Sequence, residues 1–156
     1  MMRDHLSIQG RLTIRKHNLS GDLVDEVSVH NDITLAGRHL VGNLFNKDSA
    51  NIARVTKIVM GRSDTPFSED ATAIGNKVGE TDVKTPIEIA EVLDPVSGRK
   101  RVTLRLYGEL KEADCNDVLK EAGLFTADNV MYNRVTFGAI TKTDQFKLTL
   151  VWEIIF

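Results

Sequence analysis

Phe146-Lys147-Leu148-Thr149-Leu150-Val151-Trp152-Glu153-Ile154-Ile155-Phe156 decides the fold class. Phe146, Leu148, Leu150, Trp152, Ile154 and Phe156 take every second position, with Lys147, Thr149, Val151, Glu153 and Ile155 between them. A period of two marks a strand that lays one face on a core, whereas a helix repeats its apolar residues three and four apart. The alternation predicts that Phe146, Leu148, Leu150, Trp152 and Ile154 are buried and that Lys147 and Thr149 face outward. A strand this long and this apolar on one face is expected to be the spine of the core.

The same period recurs at the other end of the chain. Leu6, Ile8, Leu12 and Ile14 alternate with polar residues, Asn18 to Asp22 has turn chemistry, and Leu23 to His30 alternates less cleanly, which together read as a hairpin. Between these ends the period changes once. After Asn31 and Asp32, plausible N-caps, Ile33, Ala36, Leu40 and Leu44 fall three or four apart and predict a helix over 33–46. Gly37 and Gly42 weaken it by about 1 kcal/mol each relative to Ala, and glycine there either allows close packing on a sheet or is merely tolerated. Residues 54–61 read as a strand and 62–86 as a long loop holding Pro66 and Pro86, with one helical turn from Ser68 that Gly75 stops. Residues 87–93 and 101–110 form a second hairpin around Asp94 to Gly98. The 110–122 stretch suits a helix by composition, but Cys115-Asn116-Asp117 also suits a turn before a strand at 118–125, and another strand covers 130–137. Gly123 and Gly138 fit bends between these strands. Arg134 and Lys142 lie near enough to pair with Glu121 or Glu153. The sum is a mainly β protein, a jelly-roll-like β-sandwich of about eight strands with one main helix, forming a single domain over residues 1–156.

Composition narrows the function. With 156 residues, 42% hydrophobic and 27% charged, the chain is an ordinary globular domain. A formal net charge of -2 disfavours dedicated nucleic-acid binding. The lone cysteine, Cys115, excludes an internal disulfide framework and a multi-thiolate metal site. No apolar run approaches a membrane span, no signal peptide is evident at the start, and no membrane partner is expected. The closing strand has the alternation of a membrane barrel's last strand, but the chain lacks the aromatic girdles such barrels carry.

Candidate chemistry is sparse. His5, His17, His30 and His39 have no metal-binding or catalytic spacing. Asp22, Asp25 and Glu26 do not follow the EF-hand pattern. Cys115 lacks a neighbouring cation that would make it a thiolate, and Gly98 to Arg101 reads as a solvated basic turn. No catalytic residue, metal site or cofactor is therefore expected. The long loop is different. Thr65, Pro66, Phe67, Ile74 and Val78 give it more apolar content than a solvated linker needs, and proline stiffens its tip. These five residues are the candidate assembly loop.

Three stretches together resemble a known group. They are Asn31 to Gly37 with the helix through Phe45; Ile58 to Gly61, Thr65 to Phe67 and Asp70 to Asn76; and Glu121 to Phe125, Asn133 to Phe137, Ile140 to Thr143 and the closing strand. In this order the chain resembles small structural proteins of tailed bacteriophages, described as tail-fibre, baseplate or neck-associated proteins. The likeness covers most of residues 27–156. It implies a non-enzymatic virion component, assembled in the host cytoplasm, whose partners are copies of itself and other virion proteins. A capsid decoration or head-completion protein, or a receptor- or carbohydrate-binding module, is the alternative expectation.

Overall fold

The closing segment is the central strand of a five-stranded sheet, and its register follows the alternation. The computed structural model describes residues 8–31, 33–45 and 53–156. In chain order these hold β1 (Gln9–Asn18), β2 (Leu23–Asn31), α1 (Leu35–Asn43), β3 (Val55–Gly61), β4 (Lys77–Asp82), β5 (Glu88–Leu93), β6 (Lys100–Leu110), β7 (Val118–Thr126), β8 (Met131–Thr141) and β9 (Phe146–Ile155). The chain is mainly β, with two antiparallel sheets packed as a sandwich.

The topology follows from antiparallel hairpins laid alternately on the two sheets. β1–β2 and β5–β6 belong to the first sheet, β3–β4 and β7–β8 to the second. In the second sheet the hairpins pair directly through β3 and β7, in the order β4-β3-β7-β8. In the first, among the described residues, they are joined only by β9, which lies between β1 and β6 in the order β2-β1-β9-β6-β5. Leu148, Leu150 and Trp152 are fully buried and Ile154 nearly so, against Leu12, Ile14 and Leu106 of the flanking strands and Ile58, Leu124 and Val135 of the facing sheet. Phe146 is only half-buried, because β9 begins at the rim, where the Lys16 ammonium sits 4.0 Å from its ring centre. Lys147 and Thr149 are partly exposed on the outer face.

Several expectations need correction. The helix is shorter than 33–46. Its cap is Thr34, whose Oγ1 accepts from Gly37 N at 3.0 Å and lies within reach of the Met131 and Tyr132 carbonyls. Asn31 belongs to β2, where its Oδ1 accepts from Trp152 Nε1 at 3.1 Å. Leu6, His5, Asp32 and Asn46 to Ser49 lie outside the described residues. Gly37 has the close-packing role foreseen, since a Cβ there would stand 2.0 Å from the Tyr132 carbonyl oxygen, while around Gly42 the space is open. The 62–86 stretch contains a strand, β4, drawn into the sheet by pairing with β3, and Glu69–Asp70 makes a turn with no helical segment. The turn reading of 110–122 is the observed one, and β7 follows it. Gly123 and Gly138 lie within β7 and β8 and not between strands, although Gly138 falls where the β8 pairing skips from Thr136 to Ile140.

Five strands facing four leaves an overhang. The chain crosses from the second sheet to the first after β4, where Val83 N donates to Thr56 O and Lys84 N to Tyr107 O at 2.8 Å each. That crossing closes the sandwich beside β6. β5 then lies beyond the closed edge with no sheet beneath it, and Ile89 and Leu93 stay 69% and 63% exposed.

Candidate functional site

The outer face of the second sheet would face solvent were it not covered by the 62–76 loop. Glu121 of β7 and Arg134 of β8 are diagonal neighbours on that face, and both are buried, at 0% and 4% exposed. Burying charge is costly unless every lone pair and donor finds a partner. Here the loop and the pair itself supply most of them, and only Arg134 Nη2 is left with its ion pair to Glu121 and no hydrogen bond. Glu121 Oε1 accepts from Ser63 N at 3.0 Å and Asn76 N at 2.8 Å, and Oε2 accepts from Gly75 N at 3.1 Å. Arg134 Nε donates to Glu121 Oε2 at 2.8 Å, and Nη1 donates to Thr65 O at 2.8 Å. Burial by itself would raise the Glu121 carboxyl, but the three backbone N–H groups and the guanidinium outweigh it and hold it below the ordinary carboxylate value. Gly61 is required beneath the clamp, because a Cβ there would come within 2.3 Å of Glu121 Oε1.

The clamp grips both ends of the loop and leaves its tip outside. Ile74 and Ala71 pack on Val59, Phe125 and Met131, a small second apolar cluster on the outer face. Val78 belongs to β4 and packs against the main core. Of the candidate assembly residues, Ile74 and Val78 are therefore spent on the chain's own sheets. Thr65 and Pro66 are exposed, and Phe67 is 37% exposed. The far side of the tip is tied to the helix, where Leu35 N donates to Glu69 O at 2.7 Å and Arg38 pairs with Glu69. The arrangement is a stiff presentation of a short Thr-Pro-Phe tip.

Arg134 thus takes Glu121, as the sequence allowed, and Lys142 and Glu153 do not pair with each other. Lys142 is buried and donates to Asn116 Oδ1 at 2.8 Å and to the Glu112 and Thr143 carbonyls, which fastens the 111–117 turn; burial pulls its ammonium below the ordinary lysine value. Glu153 lies in a row across the first sheet's outer face, with Arg11 and Arg105 on either side and Glu88 beyond Arg105. No local motif signalled this row. Arg105 and Arg11 sit 48 and 142 residues from Glu153 in the chain and meet it through β9, which lies between their strands.

Elsewhere the polar groups are dispersed. His17 lies in β1, His30 in β2 and His39 in α1. Glu26 pairs with Arg15 at 2.9 Å, apart from Asp22 and Asp25, and among the described residues no group of His, Cys, Asp and Glu is placed to hold a metal ion. Burial pushes the half-buried Cys115 thiol up, away from thiolate character. Trp152 and Tyr132 are buried, and Tyr107 Oη donates to Glu88 at 2.9 Å. Beside α1 lies an apolar cavity of about 260 Å³ between Leu40, Val41, Ile87, Leu104 and Phe156. Tyr132 also lines it, and burial raises that phenol to about 12. Among the described residues no helix is long and apolar enough to cross a membrane. No protein-family model matches the chain, and neither a curated protein nor a solved structure matches it.

Proposed function

We propose that the chain is a non-enzymatic structural component of a tailed-phage virion, of the tail, baseplate or neck, and that it works by docking to copies of itself and to neighbouring virion proteins. The resemblance of the three sequence stretches supplies the virion setting. The observation that carries the docking role is the clamp beneath the 62–76 loop. Two buried, paired charges hold a loop whose tip, Thr65 to Phe67, remains exposed. A tip ordered before contact loses little further entropy on binding, which is what a repeated subunit contact requires. A receptor- or sugar-binding role would use exposed aromatic faces for stacking; Trp152 and Tyr132 are buried in the core and Tyr107 is held by Glu88, which leaves Phe45 and Phe67 as the exposed rings.

The test uses the purified chain. Light scattering on the eluting protein gives its assembled mass, and electron microscopy gives the shape of the assembly. Replacing Pro66 and Phe67 together by serine is expected to leave the melting temperature near that of the parent and to lower the assembled mass. A parent chain that stays monomeric at high concentration overturns the proposal, and a doubly substituted chain that assembles like the parent removes the loop tip from it.

A further inference from the structure

The open edges of the two sheets are not equally protected. β2 carries Asp25 and Glu26, and a bulge interrupts its pairing at Lys16/His17. β4 carries Lys77, Glu80 and Asp82, and its pairing shifts at Met60/Gly61. β8 is irregular at two places along β7. Charges, bulges and irregular pairing are what keep an edge from recruiting another strand. β5, Glu-Ile-Ala-Glu-Val-Leu, has no lysine, no proline and no bulge, and its two glutamates are paired within the sheet, Glu88 with Arg105 at 3.1 Å and Glu91 with Lys100 at 3.7 Å. Its pairs with β6 run without a shift from Glu88–Arg105 to Leu93–Lys100. Among the described residues nothing pairs with its other edge. The overhang leaves Ile89 and Leu93 exposed on one face and Val92, at 43%, on the other.

We propose that β5 pairs antiparallel with β5 of a second copy, so that the two five-stranded sheets run on as one across a two-fold axis. The inference rests on the self-assembly reading and adds a second contact, distinct from the loop tip. A second copy suits the edge because the strand is complementary to itself. A two-fold axis perpendicular to the sheet keeps equivalent faces on the same side, so the pairing centres on one residue. Centred on Ala90, it sets Ala90 against the partner's Ala90, Ile89 against the partner's Glu91 and Ile87 against the partner's Leu93, and no like charges meet. Centred one residue further on, it would set Glu91 against its own copy, carboxylate to carboxylate, which is unfavourable. The Ala90 register also brings the exposed Ile89 and Leu93 of both copies onto one face, where side chains of the two copies become lateral neighbours across the seam.

Two measurements test the edge. The first is light scattering of the parent chain and of Ile89→Lys over a wide concentration range, with the thermal melt as a folding control. Ile89 is an exposed edge side chain, so the variant is expected to melt like the parent and to dimerise more weakly by about tenfold or more. The second is disulfide trapping in a Cys115→Ser background. Facing residues of an antiparallel pair have Cβ atoms roughly 4.5–5.5 Å apart, so Ala90→Cys is expected to give a covalent dimer under mild oxidation. Val96→Cys, on the exposed turn after β5, is expected to stay monomeric under the same conditions. A parent chain that assembles while Ile89→Lys assembles equally and Ala90→Cys fails to cross-link overturns the edge and leaves the self-assembly reading standing. A parent chain that is monomeric throughout overturns both.

Discussion

Glu121 and Arg134 are the residues whose surroundings differ most from what their types suggest. A Glu on the outer face of a strand is ordinarily solvated, yet this one is fully buried and accepts hydrogen bonds from both ends of one loop. The cost of removing one partner follows. Arg134→Met leaves the carboxylate buried without its counter-charge and is expected to destabilise the fold by about 3–5 kcal/mol, read by urea unfolding at neutral pH. The pH dependence has a definite sign. Glu121 lies below its ordinary value of 4.5 in the folded chain. Its contribution is therefore complete above the unfolded-state value and is lost as the pH falls through the lower, folded-state one. Glu121→Gln has no such titration there, so its unfolding midpoint is expected to fall less than the parent's between neutral pH and pH about 3. Equal acid sensitivity in the two proteins would place the acid-labile group elsewhere, with Glu153 the next to examine, since Arg11 and Arg105 hold it low against its burial. Glu121 was one of the two partners that the placement of Arg134 near the last strands allowed, the other being Glu153. The burial of Glu121 and Arg134 was not legible, because it depends on a loop folding back from some fifty residues earlier in the chain, as the Ser63-to-Glu121 separation of 58 shows.

The helix is the element where sequence and structure disagree most usefully. Its apolar spacing identified it, but its start was misplaced because Asn31 and Asp32 look like caps on their own. Thr34 becomes the cap because its hydroxyl also reaches the Met131 and Tyr132 carbonyls, contacts that no reading of the neighbouring residues reveals. β4 was missed for a related reason: Lys-Val-Gly-Glu-Thr-Asp has a single strong apolar side chain, and it is β3 that makes it a strand. The two helix glycines give an opposed pair of outcomes. Gly37→Ala sets a methyl against the β8 backbone, which has no rotamer to yield, and is expected to cost about 1–3 kcal/mol as an overpacked contact. Gly42→Ala meets open space and is expected to gain up to about 1 kcal/mol from helix propensity alone. Thermal melts of the two single variants check both signs, and a destabilised Gly42→Ala would mean that the end of α1 carries a constraint beyond its visible packing.

At the scale of the whole molecule, β9 has a role that no other strand shares. The β1–β2 and β5–β6 hairpins are local and were legible from alternation and turn residues; Asp94, for instance, closes the β5–β6 turn by accepting from Val96 N and Ser97 Oγ. How the hairpins combine was not legible, because strand order depends on pairings between distant segments such as Gln9 with Ile155 and Thr103 with Ile155. The second sheet can form from its hairpins directly, through β3 and β7. The first cannot: without β9 the β1–β2 and β5–β6 hairpins have no common strand, and isolated hairpins are marginal in water. Removing Phe146 to Phe156 also takes Leu148, Leu150, Trp152 and Ile154 out of the core and bares Leu12, Ile14 and Leu106. The shortened chain is therefore expected to keep strand content by far-ultraviolet circular dichroism, lose its cooperative melt and bind a hydrophobic dye, the behaviour of a collapsed state without fixed packing. A synthetic peptide covering 143–156, added in trans, is expected to restore the melt, because the groove between β1 and β6 is fitted to one strand of that alternation. If the shortened chain still unfolds cooperatively, β1 and β6 must pair without β9, and the closing strand is an addition to the sheet and not its centre.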